Sequence, residues 1–399
     1  MDALPPPLTT SEPGSFAQST IVERKPQIIR EAGAAHPYPA NIQAALCAFV
    51  DEIASDPIQP LHEIASDVAM WNAEWARYEG KTWLQVPWYF AETFFYRRLM
   101  EAVRFYQPGP WQNVDPFAPS KAAHLDSALP AFLSLLEQPA PPTPSAFASM
   151  LHHALWGNRA DLSNPRVMAA FADQDGLSGQ HAQRLLIDDT PPIWAHLTGG
   201  EPGRVDIVHD NCGLEFLLDL RLADFMLQTG IAREVRLHLK RMPFFVSDAM
   251  IRDLDHTLDR LSESSSQGAT LALRLQRMIE RGQLTVRDDP FWSTCFSFHQ
   301  MPPRVREELA ASCLVLFKGD VNYRRLLDDR HWPHTAHLAE IAADFPAPFA
   351  ALRTLKGELI VDLQPGQAEA FAQQDPTWMI NGKRGVIRFV NRMPSSDLD

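Results

Sequence analysis

Apolar and polar residues follow two different patterns along this chain, and the change comes near residue 200. Over residues 39–163 the apolar positions recur at helical spacing, so that Ile42, Leu46 and Phe49 fall on one helix face. The aromatic-rich stretch 88–105 predicts a further helix, and Pro-rich joints separate these helical segments. This part of the chain is therefore predicted to be mainly helical.

After residue 200, short apolar runs alternate with helical stretches, a pattern typical of a doubly wound sheet. A helical stretch over 248–282 contains a polar segment at 262–268 that predicts a loop. The predicted strands cover residues 205–209, 234–240, 313–317, 358–363 and 386–391. The fold class predicted is α/β: a Rossmann-like three-layer α/β/α sheet domain with a helical N-terminal domain.

The length of 399 residues favours more than one domain. Residues 1–20 are rich in Pro, Ser and Thr and hold few large apolar groups, which predicts a flexible arm. The remaining chain is predicted to divide into a helical domain over 21–200 and an α/β catalytic domain over 201–399, which binds metal and phosphate.

Composition and charge exclude several classes of partner. A net charge of −13 disfavours a nucleic-acid surface, which needs a basic footprint. No apolar stretch approaches the roughly 20 residues of a membrane span. Four scattered cysteines predict free thiols in a reducing compartment, and Met1 is followed by Asp2 and a proline run instead of a signal region. The predicted location is cytoplasmic, and the oligomeric state is unknown at this stage.

Candidate chemistry begins where the predicted strand 205–209 ends. Asp210 and Asn211 stand between this strand and a helical stretch that begins near Phe216. Ligands of open α/β sheets bind at such junctions, where a helix N-terminus also offers N–H groups to an anion. A carboxylate beside an amide oxygen suits a hard cation such as Mg²⁺ or Mn²⁺.

Two later junctions carry similar groups. Asp248 follows the predicted strand 234–240, and it can reach the same cation if the two strands are neighbours; alternatively, Ser247 and Asp248 only cap a helix. After the strand 313–317, Gly319 allows a tight turn. Asp320 can bind sugar hydroxyls or receive a proton, or it is a helix cap beside a solvated Arg324. The possible donors at this junction are Lys318, Asn322, Tyr323 and Arg324.

With these junctions the chain resembles the damage-control phosphatase family, in particular its sugar-phosphate phosphatase branch, the acidic-residue-methyltransferase-like proteins. The resemblance extends over most of the chain in the family's order. The matching segments are Pro87–Glu92, Tyr96–Arg98, Leu155–Ser163, Asp210–Glu215, Pro243–Asp248, Lys318–Arg324 and Arg353–Lys356.

The resemblance implies a divalent cation, Mn²⁺, Mg²⁺, Co²⁺ or Ni²⁺, held by Asp210, Asn211 and Asp248. It also implies a small phosphorylated substrate, of the fructose 1-phosphate and fructose 6-phosphate class or a damaged metabolite. The substrate contacts that it implies come from Gly319, Asp320, Val321, Asn322, Tyr323 and Lys356, with Glu92, Asn158 and Glu215 completing the pocket. Arg324 adds a donor at the same junction.

The predicted reaction is metal-assisted hydrolysis of a phosphomonoester, with Asp210, Asn211, Asp320 and Lys356 as the catalytic residues. The attacking group is either water or a carboxylate such as Asp210. Two alternatives belong to other classes. One is an adenosylmethionine-dependent protein-glutamate carboxyl methyltransferase, although the turn after the first strand is not the Gly-rich turn common in such enzymes. The other is a non-enzymatic adaptor.

Overall fold

A seven-stranded sheet forms the centre of the computed structural model, which describes residues 4–136, 141–157 and 184–391. The order of its strands is β1-β7-β6-β5-β2-β3-β4, and all neighbours are parallel except β6 and β7. The strands are β1 (Leu185–Asp188), β2 (Arg204–Val208), β3 (Glu234–His238), β4 (Leu284–Arg287), β5 (Leu314–Lys318), β6 (Phe349–Thr354) and β7 (Gly385–Val390).

Helices cover both faces of this sheet. Along β5, Leu314 and Leu316 enter one hydrophobic core, whereas Val315 and Phe317 enter another on the opposite face. The α/β fold with three layers is thereby confirmed. The helices are α1 (Phe16–Ser19), α2 (Lys25–Ala35), α3 (Ala40–Ser55), α4 (Val68–Ala76), α5 (Trp88–Ala102), α6 (Ala118–Ser134), α7 (Pro144–Trp156), α8 (Thr190–Thr198), α9 (Leu214–Gln228), α10 (Ile251–Ser264), α11 (Ser266–Glu280), α12 (Pro303–Ala310), α13 (Gly319–Leu326), α14 (Leu338–Ile341) and α15 (Gln367–Gln374).

Four of the predicted strands are confirmed, but the strand predicted at 358–363 is wrong. That segment is a loop whose apolar side chains are buried, and its N–H groups bond outside the sheet: Asp362 N donates to Ala336 O and Leu363 N to His334 O. The true strand, β6, lies just before it. The short edge strands β1 and β4 were not predicted, because four half-buried residues give a weak periodic signal. The loop predicted at 262–268 is much shorter in the structure: α10 ends at Ser264 and α11 begins at Ser266. Ser265 lies between them and caps α11.

The order of the strands defines where a ligand site is expected. The chain moves outward from β2 through β3 to β4, and then returns to place β5 on the other side of β2. The connections from β2 and β5 therefore leave in opposite directions, which opens a crevice at the carboxyl ends of these two strands. Asp210 and Gly319 follow these ends directly.

A third hydrophobic core lies among the N-terminal helices, and it reaches the sheet through the segment after β3. The aromatic face of α5 packs there against Phe244, and the rings of Tyr96 and Phe244 are 5.7 Å apart. Residues 4–20 pack more tightly than the flexible arm predicted, because Leu8 and Thr10 are buried and Thr10 bonds to the backbone of Trp83 and Val86.

The proposed division at residue 200 stays a prediction. Strand β1 lies before that point but pairs with β7, and α6 and α7 share a core with the sheet. Over the described ranges, no helix has the length and apolar character needed to cross a membrane.

We predict that Leu316→Ala lowers the free energy of unfolding by about 2–5 kcal/mol, because it removes a fully buried side chain from the central strand β5. Chemical denaturation measures this loss. The matched control is Leu273→Ala on the exposed side of α11, for which we expect a change within about 0.5 kcal/mol. Equal losses in the two variants would contradict the assignment of β5 to the core.

Candidate active site

Four strand ends bring polar side chains to one edge of the sheet. Asp210 follows β2, Asp248 comes after β3, Gly319 follows β5, and Lys356 follows β6. Because β2, β3, β5 and β6 are parallel neighbours, their carboxyl ends lie side by side. The strand-to-helix junctions identified in the sequence therefore lie close together, at the crevice beyond the carboxyl ends of β2 and β5.

Backbone pairing holds the predicted cation ligands together. The Ala249 N–H donates to the Asp210 carbonyl at 2.8 Å, and the Cys212 N–H donates to the Ser247 carbonyl at 2.7 Å. Asn211 and Asp248 are thus opposite each other in a short antiparallel bridge. The Asn211 side chain is also oriented: its Nδ2 donates to Asp210 Oδ2 at 2.7 Å, and its Oδ1 accepts from the Ser247 hydroxyl.

Asp248 is a buried carboxylate in an environment that would suit a cation ligand. Its side chain is buried, and neither carboxylate oxygen accepts a hydrogen bond from the part of the chain that the structure describes. Burial raises the pKa of Asp248 to about 6, against the opposing charge of Lys240. Buried oxygens without donors are costly unless an ion satisfies them.

Asp210 shares this environment. Burial raises its pKa well above the ordinary value, and the charges of Glu215 and Asp248 add to that effect. Within the described ranges, no three His, Cys, Asp or Glu side chains group around a possible metal position, and the set of Asp210, Asn211 and Asp248 stays a prediction. Two carboxylates and one amide oxygen fit a hard divalent cation.

Gly319 allows the third junction to approach Asp210. Its φ is +80°, and a Cβ at this position would lie 2.0 Å from Asp210 Oδ2. Only glycine combines this backbone conformation with so close a contact. The first turn of α13 is thereby pressed against the carboxylate of the candidate cation site.

Asp320 is held by two arginines. Arg324 Nε donates to one of its oxygens at 2.5 Å, and Arg353 Nε donates to the other at 2.6 Å. Burial alone would raise the pKa of Asp320, but the two guanidinium groups outweigh it and lower the pKa to about 2. An ionised carboxylate of this kind suits positioning better than proton transfer. Arg324 itself is buried and also bonds to Asp329 Oδ1, so it is not the solvated helix residue of the alternative interpretation.

Asn322 and Tyr323 are engaged within the protein. Asn322 Nδ2 donates to the Lys318 carbonyl at 2.8 Å and reaches the Val208 carbonyl at 3.3 Å, which joins the ends of β5 and β2. The Tyr323 hydroxyl accepts from the Val361 N–H at 3.3 Å. This leaves the backbone N–H groups at the start of α13, with those of Gly319, Asp320 and Val321 among them, as the groups that can face an anion.

Lys318 has a structural role instead of the ligand-donor role suggested by its position in the sequence. Its Nζ donates to Glu215 Oε1 at 2.9 Å, Asp219 Oδ1 at 2.7 Å and the Ala154 carbonyl at 2.7 Å, which uses all three of its donors. Burial would lower the pKa of Lys318, but the two carboxylates raise it to about 12. Glu215 is thereby fixed beside Asn211, whose Nδ2 donates to Glu215 Oε2 at 2.9 Å.

Lys356 is influenced by the carboxylates of the candidate site. Burial lowers its pKa, whereas the charges of Glu215, Asp210 and Asp320 act to raise it. Its catalytic and substrate-binding role stays a prediction.

Glu92 approaches from the helical part of the chain, on α5. Lys25 Nζ donates to its Oε2 at 2.5 Å, while its buried Oε1 accepts no hydrogen bond from the described residues. Burial raises the pKa of Tyr96, one turn later on α5, and the charges of Glu92 and Asp248 add to that effect. Asn158, also predicted to bind substrate, lies outside the described residues.

Two lysines at the site were not assigned from the sequence. Lys121 Nζ donates to the Asp248 carbonyl at 2.9 Å and forms ion pairs with Asp253 and Asp115 at 2.9 and 3.0 Å. Lys240 Nζ lies 3.5 Å from Asp248 Oδ2. Nothing in the local sequence distinguishes Lys121 from an ordinary helix lysine, whereas Lys240, two residues after the end of β3, lies at the strand end where a ligand group is expected.

Known proteins show the same combination of elements. The family model for the damage-control phosphatase ARMT1-like domain matches residues 20–371. The chain belongs to this family. The damage-control phosphatase ARMT1 of Danio rerio is 31% identical over 97% of this chain and 97% of that protein, and the Rattus norvegicus protein of the same name is 32% identical over 96% and 98%. The Homo sapiens protein is 30% identical over 98% and 99%.

The fold also has a solved counterpart. A crystal structure of a DUF89 family protein from Pyrococcus horikoshii superposes with a TM-score of 0.51 at 13% identity, and covers 93% of this chain and 96% of that one. At this identity the likeness supports the fold alone. Family membership confirms the resemblance drawn from the sequence and makes the chain a metal-dependent phosphoric monoester hydrolase. The family implies a divalent metal without fixing which one.

We predict that Gly319→Ala weakens Mn²⁺ binding about tenfold or more, because the new methyl group displaces the Asp210 carboxylate. Isothermal titration with the metal alone measures the change. The matched control is Gly366→Ala, which has φ +79° and no atom within 4 Å of the added Cβ. Both variants incur backbone strain of about 1–2 kcal/mol, but only the first disturbs the carboxylate. Equal metal affinities would contradict the close contact.

Proposed function

We propose that this chain hydrolyses sugar phosphates of the fructose 1-phosphate and fructose 6-phosphate class or damaged phosphometabolites, with a divalent metal bound by Asp210, Asn211 and Asp248. The observation that carries the proposal is the convergence of these oxygens with the Lys356 ammonium and the first turn of α13. Cation, anion donors and ammonium are the components that phosphoryl transfer requires.

The proposed chemistry divides between the metal and the chain. A divalent cation bound here supplies Lewis-acid stabilisation of charge on the phosphoryl group. The Lys356 ammonium and the N–H groups of Gly319, Asp320 and Val321 bind the phosphate oxygens, since donors fixed before the reaction cost no reorganisation. The ion pairs of Asp320 with Arg324 and Arg353 hold the turn that presents these N–H groups.

The sugar is proposed to bind between the sheet edge and the helical part of the chain. Glu215 and the unbonded Oε1 of Glu92 supply acceptors for hydroxyl groups, and Asn158 is proposed to join them. Tyr96, whose pKa is affected by the charges of both Glu92 and Asp248, is proposed to form part of the wall. Acceptors of this kind favour a polyhydroxyl substrate over a simple aryl phosphate.

The free cysteines of the described ranges agree with a reducing compartment, and we keep the cytoplasmic location as a proposal.

We predict that a chelator abolishes phosphate release and that added Mn²⁺, Mg²⁺, Co²⁺ or Ni²⁺ restores it, with the most active of these metals left to experiment. Lewis-acid stabilisation is worth several kcal/mol, so removing the metal lowers the rate by about 100-fold or more. A phosphate-release screen over sugar phosphates, with and without chelator, measures both metal dependence and substrate preference. Full activity in the chelated protein would refute the proposed mechanism.

We also predict that Asp210→Asn lowers kcat/KM by about 100-fold or more and weakens binding of Mn²⁺ in the absence of substrate. The loss follows because the substitution removes one of two anionic ligands while keeping the size of the side chain. Asp255→Asn, at an exposed position on α10, is the matched control and should retain both properties. Normal turnover in the Asp210 variant would defeat the ligand assignment.

A further inference from the structure

Lys240 is a buried cation whose head group lacks a hydrogen bond. Its side chain is 2% exposed, and its Nζ bonds to no acceptor in the described residues. The neighbouring charge is Asp248 Oδ2 at 3.5 Å. Burying an ammonium with an ion-pair partner at this distance and no hydrogen bond is costly, so a further anion beside it would stabilise it.

The backbone places Lys240 in the pocket together with the cation ligands. The Lys240 N–H donates to the Ala249 carbonyl at 2.8 Å, and the Ala249 N–H donates to the Asp210 carbonyl at 2.8 Å. Residue 249 therefore lies between the extended ends of β3 and β2. This ladder fixes Lys240 and Asp210 on either side of the segment that carries Asp248.

Binding of a cation changes the environment of Lys240. Asp248 can compensate the Lys240 charge when it is not engaged by a metal. A divalent ion held by Asp248 would draw on the same carboxylate and would repel the ammonium. An anion that contacts both the ion and Lys240 removes the repulsion.

Lys240 differs from the other buried cations near the site in the kind of partner that it has. Lys318 pairs with Glu215 and Asp219, and Arg324 pairs with Asp320 and Asp329, none of which is a predicted cation ligand. The ion-pair partner of Lys240 among the described residues is Asp248, which is a predicted cation ligand. A cation bound by Asp248 would therefore leave Lys240 in need of another anion.

We propose that Lys240 binds the phosphoryl group of the substrate in the metal-loaded protein and acts there together with Lys356. The proposal rests on the proposed function, since it requires metal at Asp248. The contrasting possibility is that Lys240 serves only as a counter-ion for Asp248 in the metal-free protein. The two possibilities differ in what happens to phosphate affinity when the ammonium is removed.

The test compares Lys240→Met with the wild-type protein in two titrations. The first uses Mn²⁺ alone, and we expect affinity that is unchanged or higher, because Lys240 no longer opposes the cation. The second titrates inorganic phosphate into the Mn²⁺-loaded protein, and we expect a dissociation constant raised about tenfold or more, with KM for a sugar phosphate raised in parallel. Lys240→Arg keeps the charge and should retain part of the phosphate affinity.

Lys81→Met, at an exposed position remote in sequence from the four junctions, is the matched control and should leave both titrations unchanged. If the wild-type protein does not bind Mn²⁺, the proposed function itself is refuted. Wild-type binding of Mn²⁺ with equal phosphate affinity in the Lys240→Met protein would overturn the role of Lys240 alone. If the Lys240→Met protein does not fold, Lys240→Gln replaces it. Phosphate affinity equal to that of the wild-type protein, with the same dependence of that affinity on salt concentration, would again overturn the role of Lys240.

Discussion

The whole site depends on a short backbone ladder beyond the ends of β2 and β3. Hydrogen bonds from Ala249 to Asp210 and from Cys212 to Ser247 make two segments, almost forty residues apart in the sequence, adjacent in space. Carboxylates repel each other when buried together, and burial raises the pKa of both Asp210 and Asp248. The covalent backbone and its hydrogen bonds hold these two side chains in place, and the proposed divalent cation would relieve the repulsion between their carboxylates.

A surrounding set of buried ion pairs keeps this ladder rigid. Lys121 holds the Asp248 carbonyl, while its pairs with Asp115 and Asp253 fix it to α6 and to the start of α10. Lys318 holds Glu215 in the same manner from β5. Such pairs are weak evidence for stability, because desolvation offsets much of their attraction. Their value here lies in fixing geometry, since removing one partner would leave a charge buried beside the ligands.

The sequence identified candidate site residues that a local pattern marks. It did not identify residues that reach the site only through contacts between distant parts of the chain. Asp210 and Gly319 are recognisable because a strand, a turn residue and a helix follow one another within a few positions. Lys121 could not be found, because its contact with Asp248 crosses more than a hundred residues. The strand predicted at 358–363 failed for a related reason: Leu359, Ile360 and Val361 are apolar because they are buried, but their backbone is not part of the sheet.

The helical part of the chain completes the site instead of merely flanking it. Glu92 and Tyr96 project from α5, and Lys121 from α6, toward groups that the sheet positions. In the proposed function, the sheet edge supplies the cation ligands and the phosphate donors, whose geometry is set by strand pairing. The helices would supply the acceptors that a sugar meets. Substitutions on α5 could therefore alter the substrate preference of such a site without altering its chemistry. The groups on α5 and the groups on the sheet edge belong to different elements of the fold.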